Sequence, residues 1–334
     1  MRKSALVTGG AGQDAWYLIE RLLADGYAVH VQTRQPRPQE AREHITWHPG
    51  DLADLAFLKH LVTSIVPDEI YNLAAISRPS LSWSVPLQTA MLNALVPQEL
   101  CELIRTICPN TRFFQASSSE IFGQIAYASS QNEETPCNPM SPYAISKTYA
   151  HSIVGAYRSQ YGLHLSAGIL FNHESPQRPL GFVSQKIAHA AAAISLGISR
   201  TEELDERGRP IVDHGKVMLG DLDVRRDFGF AGDYVEAMLL MTRSDQADDY
   251  VIGSGEQHSI AEFCDTAFGI VGRDWKDHVL SDPGLVRKND SHYTRADPAK
   301  IKARLGWRAT TSFEELVAMM VRSRIEAISR SAAS

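Results

Sequence analysis

An α/β fold, built on a doubly wound parallel sheet with a smaller α/β lobe at its C-terminal end, is what this sequence predicts. Three observations support it. A short apolar run, Ser4-Ala5-Leu6-Val7-Thr8, enters a glycine-rich turn, Gly9-Gly10-Ala11-Gly12, and then an amphipathic stretch from about Trp16 to Ala24. Strand-like apolar runs alternate with helix-periodic ones to about residue 170. Tyr143 and Lys147, four residues apart just inside a helix opened by Pro142, share one helix face.

The opening strand, turn and helix form a Rossmann-type unit. Its glycines let backbone N–H groups approach a pyrophosphate at the positive end of the helix. The spacing is Gly-x-x-Gly-x-x-Ala, and Ala15 at the third position still permits close packing of helix on strand. Ala28 to Gln32 is the second strand. A carboxylate at its end would take the ribose 2′-hydroxyl of NAD, but the chain continues Thr33-Arg34-Gln35-Pro36-Arg37. Guanidinium groups there suit a 2′-phosphate and favour NADP over NAD, unless the loop is simply solvated.

Ile45 to His48 is the third strand and ends in Gly50-Asp51-Leu52. Asp51 either accepts from an adenine amine or caps a helix beginning at Leu52. Glu69 to Ala75 is the fourth strand, with small residues at its end. A helix spans Leu92 to Ile107, where Cys101 and the adjacent Cys108 read as packing residues. Thr111 to Ser117, the fifth strand, delivers Ser117 to Glu120. An ammonium beside a phenol should bring the Tyr143 pKa down towards neutrality, so that its oxygen serves as a base. Leu165 to Ile169 is the sixth strand.

Residues 1–170 are therefore expected to form the dinucleotide-binding domain. Residues 171–330 form mainly a second lobe, with some segments returning to the first. That lobe holds a helix near Val183 to Leu196, a polar segment Ser199 to Lys216, a ligand-loop-like run Gly220 to Asp227, a helix from Asp233 and a last helix containing Leu316 to Arg324. No internal repeat or flexible linker separates the halves.

Composition narrows the function. A net charge of -6 gives no electrostatic footprint for nucleic acid. No apolar run approaches the ~18–20 residues of a membrane span, and no signal-peptide core follows Met1-Arg2-Lys3. Cys101, Cys108, Cys137 and Cys264 lack C-x-x-C spacing, as expected of reduced thiols in a cytoplasmic protein. No Cys/His/carboxylate cluster has metal-ligand spacing, so no metal is expected.

Several motifs resemble the extended short-chain dehydrogenase/reductase superfamily and, within it, the GDP-mannose 4,6-dehydratase family. They are Gly12-Gln13-Asp14, Asn72-Leu73-Ala74-Ala75, Gln115-Ala116-Ser117-Ser118-Ser119-Glu120, Ser141-Pro142-Tyr143, Phe171-Asn172-His173-Glu174-Ser175-Pro176 and Asp233-Tyr234-Val235-Glu236-Ala237-Met238. The resemblance covers nearly the whole chain. It implies a hydro-lyase acting on a nucleotide-diphosphate sugar, with NADP as an internal hydride carrier. Tyr143 would take the O4 proton, Ser118 would bond O4, and Lys147 would hold the nicotinamide ribose. Glu120 would remove the C5 proton and assist loss of the C6 hydroxyl as water.

Carried over residue by residue, the resemblance implies cofactor contacts from Gly9, Gly12, Gln13, Asp14, Arg34, Asp51, Leu52, Leu73, Ala74, Ala75, Ser77, Tyr143, Lys147, His173 and Arg178. Sugar-nucleotide contacts would come from Glu120, Asn172, Val183, Lys186, Arg226 and Arg287. A homodimer or homotetramer is implied as well, with the Arg34–Arg42 loop reaching a neighbour's cofactor. The sequence departs from the family pattern at Ile76, Arg78-Pro79, Met140, Gln185, Asp221, Phe228 and Asp290, and in a longer 199–216 segment. These departures leave open another NDP-hexose substrate. A C4 epimerase or 4-keto reductase, which would not need Glu120, and a non-catalytic nucleotide-binding regulator are the other readings.

Overall fold

The computed structural model describes residues 2–34, 43–124, 129–286 and 292–333, with side chains to residue 331. Among the described residues its central sheet has seven parallel strands, in the order Tyr250–Ile252, Leu165–Leu170, Arg112–Ala116, Glu69–Asn72, Ser4–Thr8, Ala28–Thr33 and Ile45–Pro49. The first half of the chain runs β1 (Ser4–Thr8), α1 (Gln13–Ala24), β2 (Ala28–Thr33), β3 (Ile45–Pro49), α2 (Leu55–Ile65) and β4 (Glu69–Asn72). Two short helices, α3 (Pro79–Ser82) and α4 (Pro86–Ala90), and a π-helical turn over Met91–Leu95 lead into α5 (Val96–Ile107). β5 (Arg112–Ala116), α6 (Pro142–Tyr161) and β6 (Leu165–Leu170) follow.

Beyond β6 the elements shorten: β7 (Asn172–Glu174), α7 (Val183–Ser195), β8 (Val212–Asp213), β9 (Lys216–Leu219), β10 (Arg225–Arg226) and β11 (Phe228–Phe230). α8 (Ala231–Arg243) packs back on the sheet and β12 (Tyr250–Ile252) joins its edge beside β6. The chain ends with β13 (His258–Ser259), α9 (Ile260–Ile270), β14 (Val279–Ser281), α10 (Ala299–Leu305) and α11 (Phe313–Ala333).

Strand sequences explain the layering. β1, β4 and β6 are buried on both faces because helices cover both. One face buries Leu18, Leu22, Met238 and Trp307; the other buries Leu58, Leu61, Leu100 and Val154. The second lobe has its own core, where Ala190, Ala191 and Ile194 of α7 meet Phe263 and Phe268 of α9 and Leu316 and Met320 of α11. Alanines at the crossing let these helices approach closely.

Two sequence expectations need correction. α1 begins at Gln13 rather than Trp16, directly on Gly12. α2 begins at Leu55, not Leu52, because Asp54 is its cap and accepts from the N–H groups of Ala56 and Phe57. Asp51 instead accepts from Ala53 N at 3.0 Å.

Candidate active site

One polar ladder joins the C-terminal ends of β1, β4 and β5. Thr8 Oγ1 donates to Asn72 Oδ1 (2.7 Å), and Asn72 Nδ2 donates to Gln115 Oε1 (2.8 Å). Thr8 Oγ1 also accepts from the N–H groups of Leu73 and Ala74, both at 3.1 Å. This fixes Leu73 to Ala75 against the glycine-rich turn. Gly9 has φ +71°, and a Cβ on it would stand 2.8 Å from Ala74 Cα, so no other residue fits. Gly10, absent from the expected contacts, is equally constrained, since a Cβ there would collide with Val31. Gly12 opens α1 without a side-chain cap on the first-turn N–H groups.

β5 ends at Ala116 and presents Ser117, Ser118 and Glu120. Ser118 Oγ accepts from Glu120 N (3.3 Å), capping the short turn Ser119–Phe122, and its hydroxyl beside the Tyr143 phenol acts to lower that group's pKa. α6 starts at Pro142, with Ser141 as cap accepting from Ala144 N at 3.0 Å. Tyr143 N donates to Ser82 Oγ (3.1 Å), which seats the first turn. One turn on, Lys147 Nζ donates to Ala116 O (2.8 Å) and lies 5.9 Å from the Tyr143 ring centroid. Ser118, Glu120, Tyr143 and Lys147 all line one cleft of about 500 Å³.

The expected fall in the Tyr143 pKa is not found. Burial pushes the phenol up to about 12, and the Ser118 hydrogen bond offsets only part of this. Burial also pushes Lys147 down to about 8, against the opposing pull of Asp14. Desolvation penalises each charged form, and it outweighs the partner charges at this depth.

Asp14 and His173 line the same cleft. Burial alone would raise the Asp14 pKa, but His173, Arg178 and Lys147 outweigh it and hold the carboxyl below its ordinary range. For His173, burial is outweighed by Asp14, so its pKa is raised. Its Nδ1 faces Phe171 O at 2.7 Å and its Nε2 faces Asp14 Oδ2 at 3.0 Å, so both ring nitrogens meet acceptors. Arg178 lies 3.1 Å from Glu174 Oε2 and stacks over Phe182.

Leu73, Ala75, Ser77, Asn172, Val183, Lys186 and Arg226 line the same cleft. Gln13 does not: it is buried, Nε2 donating to His173 O (2.7 Å) and Oε1 accepting from Ser175 Oγ (3.0 Å), so it bolts α1 to β7. The Leu52 side chain is buried with Leu58 and Leu61, leaving only its backbone to meet a ligand. Arg34 is exposed just past β2. Ala74 and Asp51 lie outside the cleft lining. Arg287, Asp290 and residues 35–42 fall outside the described residues. Arg78 and, from the longer 199–216 segment, Glu206 and Arg207 also line the cleft, as does His292, though none was named as a contact.

One observation fits a dinucleotide in the cleft. Asp14 Oδ1 and Ser117 Oγ are buried, face no hydrogen-bond partner and belong to residues of the cleft wall. Gly9 and Gly12 lie outside that lining, and the close approach at Gly9 is to the Ala74 backbone. Among the described residues no group of three or more His, Cys, Asp or Glu could hold a metal. No described helix is long and apolar enough to cross a membrane.

The chain is similar along its whole length to known proteins. Residues 6–320 match the family model described as GDP-mannose 4,6 dehydratase. It is 40% identical to GDP-mannose 4,6 dehydratase 1 of Arabidopsis thaliana, covering 98% of this chain and 91% of that one. With the GDP-mannose 4,6-dehydratase of Sinorhizobium fredii it shares 39%, over 96% of both. Among solved structures, Thermus thermophilus UDP-glucose 4-epimerase in complex with NAD superposes with TM-score 0.82 at 24% identity, covering 96% of this chain and 98% of that one. The dTDP-glucose 4,6-dehydratase of Bacillus anthracis with NAD gives 0.80 at 20%, over 97% of each. These two likenesses concern the fold. With a family match over most of its length and relatives near 40% identity, this chain belongs to the GDP-mannose 4,6-dehydratase family.

Proposed function

We propose that the chain is a hydro-lyase converting GDP-mannose to GDP-4-keto-6-deoxymannose, with NADP as its internal hydride carrier. The observation behind this reading is the position of Glu120. A carboxylate shares the cleft with Ser118, Tyr143 and Lys147, and redox at C4 alone has no use for it. Elimination needs one further acid/base at C5 and C6.

Gly9, Gly12, Asp14, Lys147 and His173 would hold the dinucleotide, which supplies hydride uptake from C4 and return to C6. Ser118 positions O4, and Tyr143 would accept its proton once the positive charge of an oxidised cofactor beside it offsets the burial that raises the phenol's pKa. The C4 ketone acidifies C5–H; Glu120 removes that proton and protonates the departing C6 hydroxyl. Lys186 and Arg226 supply cations for the diphosphate. Arg34, followed in the sequence by no acid until Glu40, favours NADP over NAD.

Exposed apolar side chains at Leu87, Leu95, Ile145 and Tyr149 support a homo-oligomer. Free cysteines at all four positions support a cytoplasmic setting.

Substrate deuterated at C4 tests the reaction. The label should reappear at C6 of a product lighter by one water, with no net NADPH. Retention of the C6 hydroxyl with inverted C4 would instead favour an epimerase.

A further inference from the structure

Lys186 is buried on α7, and its Nζ donates to Glu206 Oε2 at 2.9 Å. Glu206 sits on a tight turn of the 199–216 segment that lines the cleft. Leu204 pairs with Pro210, and Asp205 Oδ1 accepts from the N–H groups of Arg207 and Arg209, both at 2.9 Å. The turn is fastened on two sides. Glu206 holds Lys186 on one; on the other, Arg207 donates to Gly284 O and Arg209 to Asp282 Oδ2 (3.2 Å).

A second carboxylate of the segment also faces α7, beside Arg324 at 3.7 Å. Glu203, three residues before Glu206, lies 3.5 Å from His189, three residues after Lys186. Two carboxylates on one segment thus meet two bases on one face of α7. Glu206, Arg207, Lys186 and Arg226 all line the cleft.

A buried ammonium needs a partner, since leaving it uncompensated is costly. Here the partner is a carboxylate whose side chain is 39% exposed, on a turn at the cleft. A phosphate oxygen would satisfy the same ammonium with more charge behind it. We propose that Glu206 tunes substrate affinity by standing in for a substrate phosphate. It holds Lys186 until a nucleoside diphosphate displaces it, so the free energy of breaking this ion pair is subtracted from binding. The identity of the ligand rests on the function proposed above; the exchange rests on the ion pair.

Glu206→Gln removes the competing charge and leaves the cations in place. Steady-state kinetics with GDP-mannose, and calorimetry of GDP and GMP on the cofactor-loaded protein, provide the readouts. KM and the GDP Kd should fall about three- to tenfold, the scale of a partly exposed ion pair, with kcat little changed. The preference for GDP over GMP should hold or widen, because GMP gains at most what GDP gains when the competing carboxylate is removed. In a Lys186→Met background the substitution should lose its effect. Unchanged or weaker GDP binding in Glu206→Gln, or a gain that persists without Lys186, overturns the exchange. If the unsubstituted enzyme fails to turn over GDP-mannose while Glu206→Gln still tightens GDP, the activity is rejected and the exchange stands.

Discussion

Asp14 and His173, 159 residues apart in sequence, meet at 3.0 Å between Oδ2 and Nε2. The contact ties the start of α1 to β7, and Gln13 reinforces it through His173 O. His173 has a raised pKa and Asp14 a lowered one. The histidine's contribution to stability is therefore full below its ordinary value near 6.5 and is lost as pH rises through its folded pKa. The aspartate's is full above its ordinary value and lost as pH falls through its folded pKa. His173→Gln should cost about 3 kcal/mol, the price of breaking a buried pair. Urea melts should show this loss largest from about pH 4 to 6.5 and smaller at pH 9. A loss independent of pH would mean that His173 acts by packing alone.

Glu120→Gln should lower kcat about 10²- to 10⁴-fold, the usual range for a positioned acid/base, with KM within about threefold. Tyr143→Phe should lower it similarly. Mass spectrometry for water loss separates the cases: an epimerase would keep most of its activity in Glu120→Gln.

What could be read in advance follows from how local each signal is. β1, the glycine turn and α1 are contiguous, and strand, turn and helix each leave a mark within a few residues. Tyr143 and Lys147 are likewise one helix turn apart. The second lobe was harder because β8, β10 and β13 have two residues each, too few for any period. Glu206 and Arg207 enter the cleft from 20 residues beyond Lys186 through a turn whose direction no pattern encodes. Asp205 and Gly208 do mark the turn itself. The Tyr143 pKa was misjudged because spacing reports the distance to Lys147 and not the depth at which both are buried.

Arg34 stands exposed directly after β2, where a carboxylate would otherwise select the 2′-hydroxyl. Arg34→Ala should weaken NADP binding about tenfold and leave NAD binding within about twofold. Fluorescence titration with NADPH and NADH measures both. Equal losses for the two cofactors would remove Arg34 from 2′-phosphate recognition.

Lys147 should weaken the fold it serves. Its ammonium is buried and its pKa depressed to about 8 from 10.5, so below pH 8 the folded state carries a desolvated charge that the unfolded chain keeps in water. That shift corresponds to about 3 kcal/mol, set against about 1 kcal/mol for its hydrogen bond to Ala116 O. Ala116 O would keep a second donor, Gln115 Nε2 at 2.9 Å. Lys147→Met should therefore abolish turnover yet raise the melting temperature of the cofactor-free protein by roughly 2–5 °C at pH 7. The gain should shrink as pH rises from about 8 towards 10.5, where the unsubstituted protein sheds the same proton folded or unfolded. Calorimetric scans at pH 7 and pH 10 check the sign. A variant less stable at pH 7 would mean that the Lys147–Ala116 bond outweighs burial of the charge.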